Sequence, residues 1–210
     1  MTLRVHRLVV TLPTRRPITF SVEVPAGGMT AVVAPDGAGT ELARVVVGLE
    51  PARGGRIHVG RAEVTRRPPG RRNIGYVPAG GGLLPHLTVR QNIEYGLHRR
   101  RDAVRYEDSQ TMAHLVNELQ LGHLLHLLPH RLTDMQRLRA ALARAAVCLP
   151  EALVVDLPEP DAGAEALADL VRRAALENSA GMAVLVCAGS DKAAAGIPDR
   201  APVEVAGDGR

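Results

Sequence analysis

Hydrophobic and polar residues alternate along the first 33 positions of the chain. The segments "LRVHRLVVTL" and "ITFSVEV" carry an apolar residue at about every second position, whereas "MTAVV" is apolar almost throughout. Alternation with a period of two is typical of strands with one buried face, and a short apolar run is typical of a strand buried on both faces. We therefore predict several strands in this region, of which the last is buried.

The remainder of the chain predicts helices and further strands. A buried helix is predicted over "TELARVVVGLE", where Gly48 ends it, followed by a hairpin over "ARGGRIHVGRAEVT" and a strand over "NIGYV". Between about residues 85 and 145 the apolar spacing is helical in "LTVRQNIEYGL", "SQTMAHLVNELQLGHLLHLL" and "MQRLRAALARAAV". Two buried strands follow, "ALVVDLPEP" and "MAVLVCAG", with the helical segment "DAGAEALADLVRRAALEN" between them.

This order of elements predicts an α/β fold in a single domain that covers residues 1–210. We expect a mainly parallel sheet, antiparallel strands near the N-terminus and a helical subdomain inserted at about 85–145. A chain of 210 residues is long enough to bury a substantial core. Because 46% of the residues are hydrophobic and only 2% are aromatic, alanine, valine and leucine must form most of that core.

The charge balance of the chain is weakly basic. The sequence has 26 basic and 22 acidic residues, a formal net charge of +4, and Lys192 as its only lysine. An excess of this size is weak evidence for a nucleic-acid partner, and we do not expect one. The basic clusters "RRPPGRR" and "HRRR" could meet phospholipid or nucleic acid, but solvated loops are the favoured interpretation.

Cysteines, histidines and apolar runs argue against several other classes of protein. Cys148 and Cys187 have neither metal-site nor redox spacing, which indicates reduced, buried thiols. The spacing of His123, His126 and His130 suits one helix face, but a proline interrupts that helix and no acid or cysteine completes a metal site. The first residues lack the pattern of a signal peptide, and no apolar run approaches the roughly 18–20 residues that cross a bilayer. We therefore expect a cytoplasmic protein that reaches a membrane only through a partner.

The segment "APDGAGTEL" (34–42) has the outline of a phosphate-binding loop, because it lies between a buried strand and a helix. In such loops backbone N–H groups at the start of the helix bind phosphate, a lysine neutralises its charge and a hydroxyl holds Mg²⁺. Here Thr40 stands at the lysine position and Glu41 at the hydroxyl position. By motif position the nucleotide-binding residues are Asp36, Gly37, Ala38, Gly39, Thr40 and Glu41.

These replacements change the charge that a bound phosphate would meet. A carboxylate in place of an ammonium group at about 4 Å costs several kcal/mol, even at an effective dielectric constant of about 20. A Mg²⁺ ion bridging Glu41 would recover part of that cost but would not replace the lysine. We therefore expect nucleotide binding to be weak, and we hypothesise that Glu41 or Asp36 acts as a built-in anion over the loop.

Several longer segments follow one another in an order that is typical of one family. They are "GLEPARGGRIHVGR", "RRPPGRRNIGYV", "LLPHLTVRQNIEYGL" and "PHRLTDMQRLRAALARAAVCLPEALVVDLPEP". Over nearly its whole length the chain resembles the nucleotide-binding subunit of ABC transporters, of the importer type. The resemblance implies a P-loop NTPase-like fold, with ATP and Mg²⁺ as cofactors. It also implies two partners at the inner face of the cell membrane, a membrane permease and a second nucleotide-binding domain, in a homodimer or a heterodimer.

The resemblance also assigns catalytic positions, and most of them depart from the family pattern. Asp156 matches the acid that binds Mg²⁺, but Leu157 stands where the general base is expected and cannot accept a proton. Glu159 lies beyond a proline, out of register for that role. The expected glutamine, switch histidine and adenine-stacking aromatic residue are replaced by Ala79, by Gly189 or Ser190, and by Leu12.

The signature loop of the family is altered as well. It normally contacts the γ-phosphate of the opposing subunit through a Ser-Gly-Gly-Gln run. Here Thr133 keeps a hydroxyl and Gln136 is kept, but Asp134 and Met135 replace the glycines, so their side chains block close approach and the acid repels phosphate. The signature-loop residues are Leu132, Thr133, Asp134, Met135 and Gln136.

Sequence analysis thus predicts a degenerate ABC-transporter ATP-binding subunit. We expect a non-hydrolysing pseudo-ATPase that docks on a membrane permease or pairs with another subunit. Two alternatives remain at this point: an active ATP-hydrolysing subunit that energises import, and a soluble nucleic-acid-associated protein.

Overall fold

The computed structural model describes residues 1–11, 17–34, 38–97, 105–157, 169–173, 181–192, 194, 196–197, 199–201 and 203–205. Groups of strands and helices follow one another along these ranges. Their bounds are β1 (Leu3–Thr11), β2 (Pro17–Val24), β3 (Met29–Val33), α1 (Gly39–Val47), β4 (Gly54–Val59), β5 (Ala62–Glu63), β6 (Ile74–Val77), α2 (Val89–Leu97), α3 (Arg105–Glu118), α4 (Asp134–Ala146), β7 (Ala152–Leu157), β8 (Ala183–Ala188), β9 (Asp199–Ala201) and β10 (Val203–Val205).

An antiparallel sheet contains five strands in the order β10-β2-β1-β4-β5. In β1 and β2 buried and exposed residues largely alternate, so each strand has one apolar face, as its sequence predicts. The buried face packs in one hydrophobic cluster with α1 and with residues of β7 and β8. The predicted hairpin is confirmed: β4 pairs with β5, and Gly60 at its turn has a φ of 57°.

A parallel sheet contains the other five strands in the order β6-β7-β8-β3-β9. All residues of β8, and all but the last residue of β7, are buried, which explains their continuous apolar sequences. The predicted α/β fold with a mainly parallel sheet and N-terminal antiparallel strands is confirmed. Sequence analysis did not show that these strands form a separate sheet, or that β3 joins the parallel one.

Helix α1 follows β3 and lies between the two sheets. Its buried residues are Gly39, Leu42, Ala43 and three consecutive valines. The helix ends at Gly48, as predicted, because that residue takes a left-handed conformation with a φ of 87°. The guanidinium of Arg72 then caps this end: it donates to the carbonyl oxygens of Val45 and Val46 at 3.0 and 2.8 Å.

Helices α2, α3 and α4 occupy most of the region 85–145, and their apolar faces share a hydrophobic cluster with the parallel sheet. The long helix predicted over "SQTMAHLVNELQLGHLLHLL" is wrong in its second half. Helix α3 ends at Glu118, and Gln120 takes a left-handed conformation with a φ of 55°. Leu119, Leu121 and Leu124 beyond it are buried in short turns, so apolar spacing alone did not reveal the end of the helix.

Candidate functional site

A buried carboxylate lies at the carboxyl ends of the parallel strands, where open α/β sheets bind their ligands. The side chain of Asp156, near the end of β7, is only 1% exposed. The Thr40 hydroxyl at the start of α1 donates to Asp156 Oδ1 at 3.1 Å. The Tyr76 hydroxyl on the neighbouring strand β6 donates to Oδ2 at 3.4 Å. The fold therefore brings the phosphate-binding loop and the predicted metal ligand together.

Burial dominates the electrostatics of this group. Burial raises the pKa of the Asp156 carboxyl, and the negative charge of Glu41 raises this pKa further. Hydrogen bonds from the Thr40 hydroxyl, the Ala79 backbone N–H and the Tyr76 hydroxyl lower the pKa, but by less than burial raises it. Burial, with the adjacent Asp156, also raises the pKa of Tyr76. Each of these three hydrogen bonds comes from a neutral donor.

The same causes act on the thiol of Cys187 in β8. Complete burial, and secondarily the charge of Asp156, raises the pKa of Cys187. A thiol held in its protonated form is a poor nucleophile. The prediction of a buried thiol is confirmed for Cys187 but is wrong for Cys148, which is only partly buried and donates weakly to the Ala145 carbonyl.

Replacing Asp156 with asparagine should change how stability depends on pH. Because folding raises the pKa of this carboxyl, the folded state holds the proton more tightly, and the native protein loses stability as pH rises from about 4 through the folded-state pKa. Asp156→Asn removes that loss. The stability of the variant relative to the native protein should therefore increase over this window, by up to about 1.4 kcal/mol per pH unit.

Urea denaturation at a series of pH values between 4 and 8 measures this difference. The readout is the pH slope, because the altered hydrogen bonds of the asparagine add only a constant offset. Asp191→Asn, at an exposed position, is the matched control and should track the native curve. Parallel curves for Asp156→Asn and the native protein would contradict the prediction.

The phosphate-binding loop is described in its second half. Ala38 and Gly39 are buried, whereas Thr40 and Glu41 are partly exposed; the predicted site residues Asp36 and Gly37 lie outside the described residues. Helix α1 begins at Gly39 against the end of β8, where an added Cβ would lie 3.2 Å from the backbone of Ala188. Glu41 lies in the first turn of α1, where the helix dipole stabilises an acid.

The signature loop begins helix α4. Thr133 is its N-cap and forms a capping box with Gln136: the Thr133 hydroxyl accepts from the Gln136 backbone N–H at 3.3 Å, and the Gln136 side chain accepts from the Thr133 N–H at 2.9 Å. Asp134 is exposed and pairs with Arg137. The oxygens of Thr133 and Gln136 thus stabilise their own helix, which sequence analysis had not foreseen. Leu132 is buried and Met135 is partly buried.

The remaining predicted positions surround Asp156 or lie outside the described ranges. Leu157 is the last residue of β7, and its carbonyl accepts from the Gly189 N–H at 3.0 Å. Ala79 is exposed and contributes only its backbone N–H to Asp156. Leu12 and Glu159 fall on residues that the structure does not describe. Sequence analysis missed Tyr76, whose signal is a polar aromatic residue in the strand next to β7.

A cleft of about 430 Å³ opens beside the start of α1. It carries charges of both signs, and an ion pair between Arg44 and Glu50 at 2.9 Å lies on its wall. The lining residues are Val10, Thr11, Thr40, Glu41, Arg44, Val45, Glu50, Pro51 and Arg53. The cleft extends from the phosphate-binding loop to the end of β1. By the family resemblance, an adenine is expected to lie near that end of β1.

The family of the chain follows from the match of its sequence. Residues 18–160, from β2 to just beyond β7, match the family described as ABC transporter. The chain belongs to the ABC transporter family. The resemblance seen in the sequence is thereby confirmed.

Curated relatives of this ABC-family chain are import ATP-binding proteins. A sulfate/thiosulfate import ATP-binding protein of Shewanella oneidensis is 35% identical over 143 residues, 66% of this chain and 38% of that protein. A molybdate/tungstate import ATP-binding protein of Pyrococcus horikoshii is 33% identical over 154 residues, 73% of this chain and 44% of that protein. The ABC-family chain thus spans less than half the length of these two relatives.

Solved structures support the same fold. A dimeric bacterial ABC transporter cassette superposes on this chain with a TM-score of 0.74 at 16% identity, covering 98% of this chain and 99% of that one. An ATP-binding cassette in a post-hydrolysis state, bound to ADP and phosphate, has a TM-score of 0.69 at 18% identity and covers 88% of this chain and 87% of that one. At such identities the likeness shows the fold alone.

ABC family membership implies that ATP and Mg²⁺ are bound. The residues of this site suit Mg²⁺ and the triphosphate of ATP to different degrees. Thr40 and Asp156 supply the hydroxyl and carboxylate oxygens with which P-loop proteins hold Mg²⁺, and the two side chains are already in contact. When bound, Mg²⁺ would neutralise charge on the phosphates. The loop 34–42 has no lysine or arginine, and Glu41 adds a negative charge. The residues therefore fit the metal ion better than the triphosphate.

The described part of the ABC-family chain has neither membrane-spanning helices nor clusters of metal-binding side chains. None of its helices has the length and apolar character needed to span a membrane. It also has no group of three or more histidine, cysteine, aspartate or glutamate side chains arranged to bind a metal ion.

Proposed function

We propose that this chain is an ATP-binding subunit of an ABC importer that does not hydrolyse ATP. The observation that carries the proposal is the apolar side chain of Leu157 next to Asp156, at the end of β7. A general base must lie within hydrogen-bonding reach of the attacking water, and leucine has no group that accepts a proton. Ala79 likewise has no side-chain amide to orient that water.

The contact between Thr40 and Asp156 supports a register for the phosphate-binding loop that differs from the one assigned by motif alone. In the common pattern the Mg²⁺ hydroxyl directly follows the lysine, and that hydroxyl shares its metal with the strand-end acid. Thr40 makes this contact at 3.1 Å and is directly preceded by Gly39. We infer that Thr40 is the hydroxyl residue and that the loop is one residue short, at the place of the lysine.

The names of the relatives, which are import ATP-binding proteins, support a peripheral role for the chain. We infer that it lies at the cytoplasmic face of the membrane, bound to a permease. There it forms a homodimer or a heterodimer of nucleotide-binding domains. In that role the chain binds ATP·Mg²⁺ weakly and does not hydrolyse it. Its contribution to the transporter is a surface on which the permease docks.

An ATP-hydrolysis assay on the purified chain tests the proposal. We expect no phosphate release above the rate of Asp156→Ala, because the general base is missing from both proteins. Turnover that Asp156→Ala abolishes would instead establish the active-subunit alternative. Steep salt-dependent binding to duplex DNA would favour the nucleic-acid alternative.

A further inference from the structure

A concave surface beside the basic loop "RRPPGRR" lies away from Asp156. A pocket of about 620 Å³ opens between the segment that follows α1 (48–55) and the segment that follows β5 (65–69). This volume is within the range of sites that bind small organic ligands. Leu49 stands at its edge with half of its surface exposed.

The lining of this pocket is strongly positive. Four arginines line it, against a single carboxylate, that of Glu50. Glu50 is already paired with Arg44 at 2.9 Å. Among the described residues, no carboxylate forms a salt bridge with any of the four arginines, which are Arg53, Arg66, Arg67 and Arg72.

One of these arginines is buried in the wall of the pocket. Arg72 is 4% exposed and its guanidinium donates to four backbone carbonyl oxygens, those of Val45, Val46, Thr65 and Arg67. The carbonyls satisfy its hydrogen bonds but carry no full negative charge, and the end of α1 supplies only about half a charge. The wall therefore keeps a net positive charge whose position is fixed by the fold.

The other three arginines are exposed and free to turn towards a ligand. Arg53, Arg66 and Arg67 extend from the two segments on opposite sides of the pocket. Guanidinium groups bind phosphate oxygens through pairs of parallel hydrogen bonds. A concave surface lined by positive charges also focuses a positive electrostatic potential inside the pocket. This arrangement suits a ligand with two or more negative charges.

We propose that this pocket binds the phosphate group of a polyvalent anion, separately from the nucleotide site. Inorganic pyrophosphate is the simplest probe, because it carries the charge without a base or sugar. The chemistry is shared by a soluble organic phosphate and by the headgroup of an anionic lipid. Leu49 at the rim would contact the apolar part of either ligand.

Calorimetric titration of the full chain with pyrophosphate tests the pocket. The double variant Arg66→Gln/Arg67→Gln should weaken binding by about tenfold or more, because it removes two charge-assisted interactions. The matched control is Arg56→Gln/Arg61→Gln, which removes the same charge from exposed positions of the adjacent β4–β5 hairpin that do not line the pocket. The control should change the dissociation constant less than about twofold.

A second variant separates this pocket from the phosphate-binding loop. Thr40→Ala should leave pyrophosphate binding unchanged if the arginine pocket holds it. Equal losses in the two double variants, loss in Thr40→Ala, or no binding by the native chain would overturn the proposal.

Vesicle sedimentation identifies the source of the anion. Vesicles with about one third anionic phospholipid are compared with purely zwitterionic ones, using the same variants. Binding to anionic vesicles that is lost only in Arg66→Gln/Arg67→Gln assigns the pocket to a lipid headgroup. Pyrophosphate binding without vesicle binding assigns it to a soluble phosphate.

Discussion

Insertion of a lysine between Gly39 and Thr40 should strengthen ATP·Mg²⁺ binding by at least about 100-fold, whereas Thr40→Lys should not strengthen it. The insertion supplies the missing cation while keeping the Thr40 hydroxyl beside Asp156. Thr40→Lys supplies a cation but removes the hydroxyl that donates to Asp156, so its ammonium group pairs with the buried carboxylate instead of the phosphates.

Calorimetric titration with ATP·Mg²⁺ compares the two proteins with the native chain. Insertion of an alanine at the same place is the matched control, because it lengthens the loop without adding charge, and it should bind no better than the native chain. Tighter binding by Thr40→Lys than by the insertion would show that Thr40 stands at the lysine position. The insertion variant should still not hydrolyse ATP, because Leu157 is unchanged.

Arg72→Met should lower the free energy of unfolding by about 3 kcal/mol or more, which corresponds to a loss of about 10 °C in melting temperature. The methionine fills much of the same space but removes the guanidinium from four backbone carbonyls, two of them at the end of α1, where the Val45 carbonyl still accepts from the Gly48 N–H. Burial lowers the pKa of Arg72, but arginine retains its proton, so the native interaction is that of a cation.

Urea denaturation and thermal unfolding measure this loss. Arg71→Met is the matched control: its side chain is exposed, and the change should stay within about 0.5 kcal/mol of the native protein. Arg72→Lys should recover less than half of the loss, because an ammonium group cannot reach four carbonyls as the planar guanidinium does. Equal effects at positions 71 and 72 would show that Arg72 does not hold the end of α1.

The elements that sequence analysis located best are those in which one local pattern decides the structure. Strands β7 and β8 are apolar at nearly every position because both of their faces are covered. Helix α1 ends at Gly48, because glycine readily takes the left-handed conformation found there. The end of α3 was missed because several leucines beyond it are buried as well. The division into two sheets was missed because alternation shows that a residue is buried but not which strand lies beside it.

In the candidate site, too, single residues were predicted from the sequence, whereas contacts between distant segments were not. Asp156 was found because its segment, an apolar strand that ends in an acid, resembles the Mg²⁺-binding strand of the family. Its contacts with Thr40 and Tyr76 depend on residues more than 75 positions away and on the order of strands in the sheet. The capping box of Thr133 and Gln136 was readable from the sequence, since threonine followed three residues later by glutamine is its pattern. The family resemblance directed attention to phosphate instead.

The pairing of β10 with β2 has a consequence for the synthesis of the protein. One partner is centred near residue 20 and the other near residue 204, so the outer side of β2 stays without its neighbour until the segment around residue 204 has left the ribosome. During that interval its unpaired N–H and C=O groups can template the addition of a strand from another molecule. A nascent chain of this kind benefits from chaperones that cover the open edge until the late strand arrives.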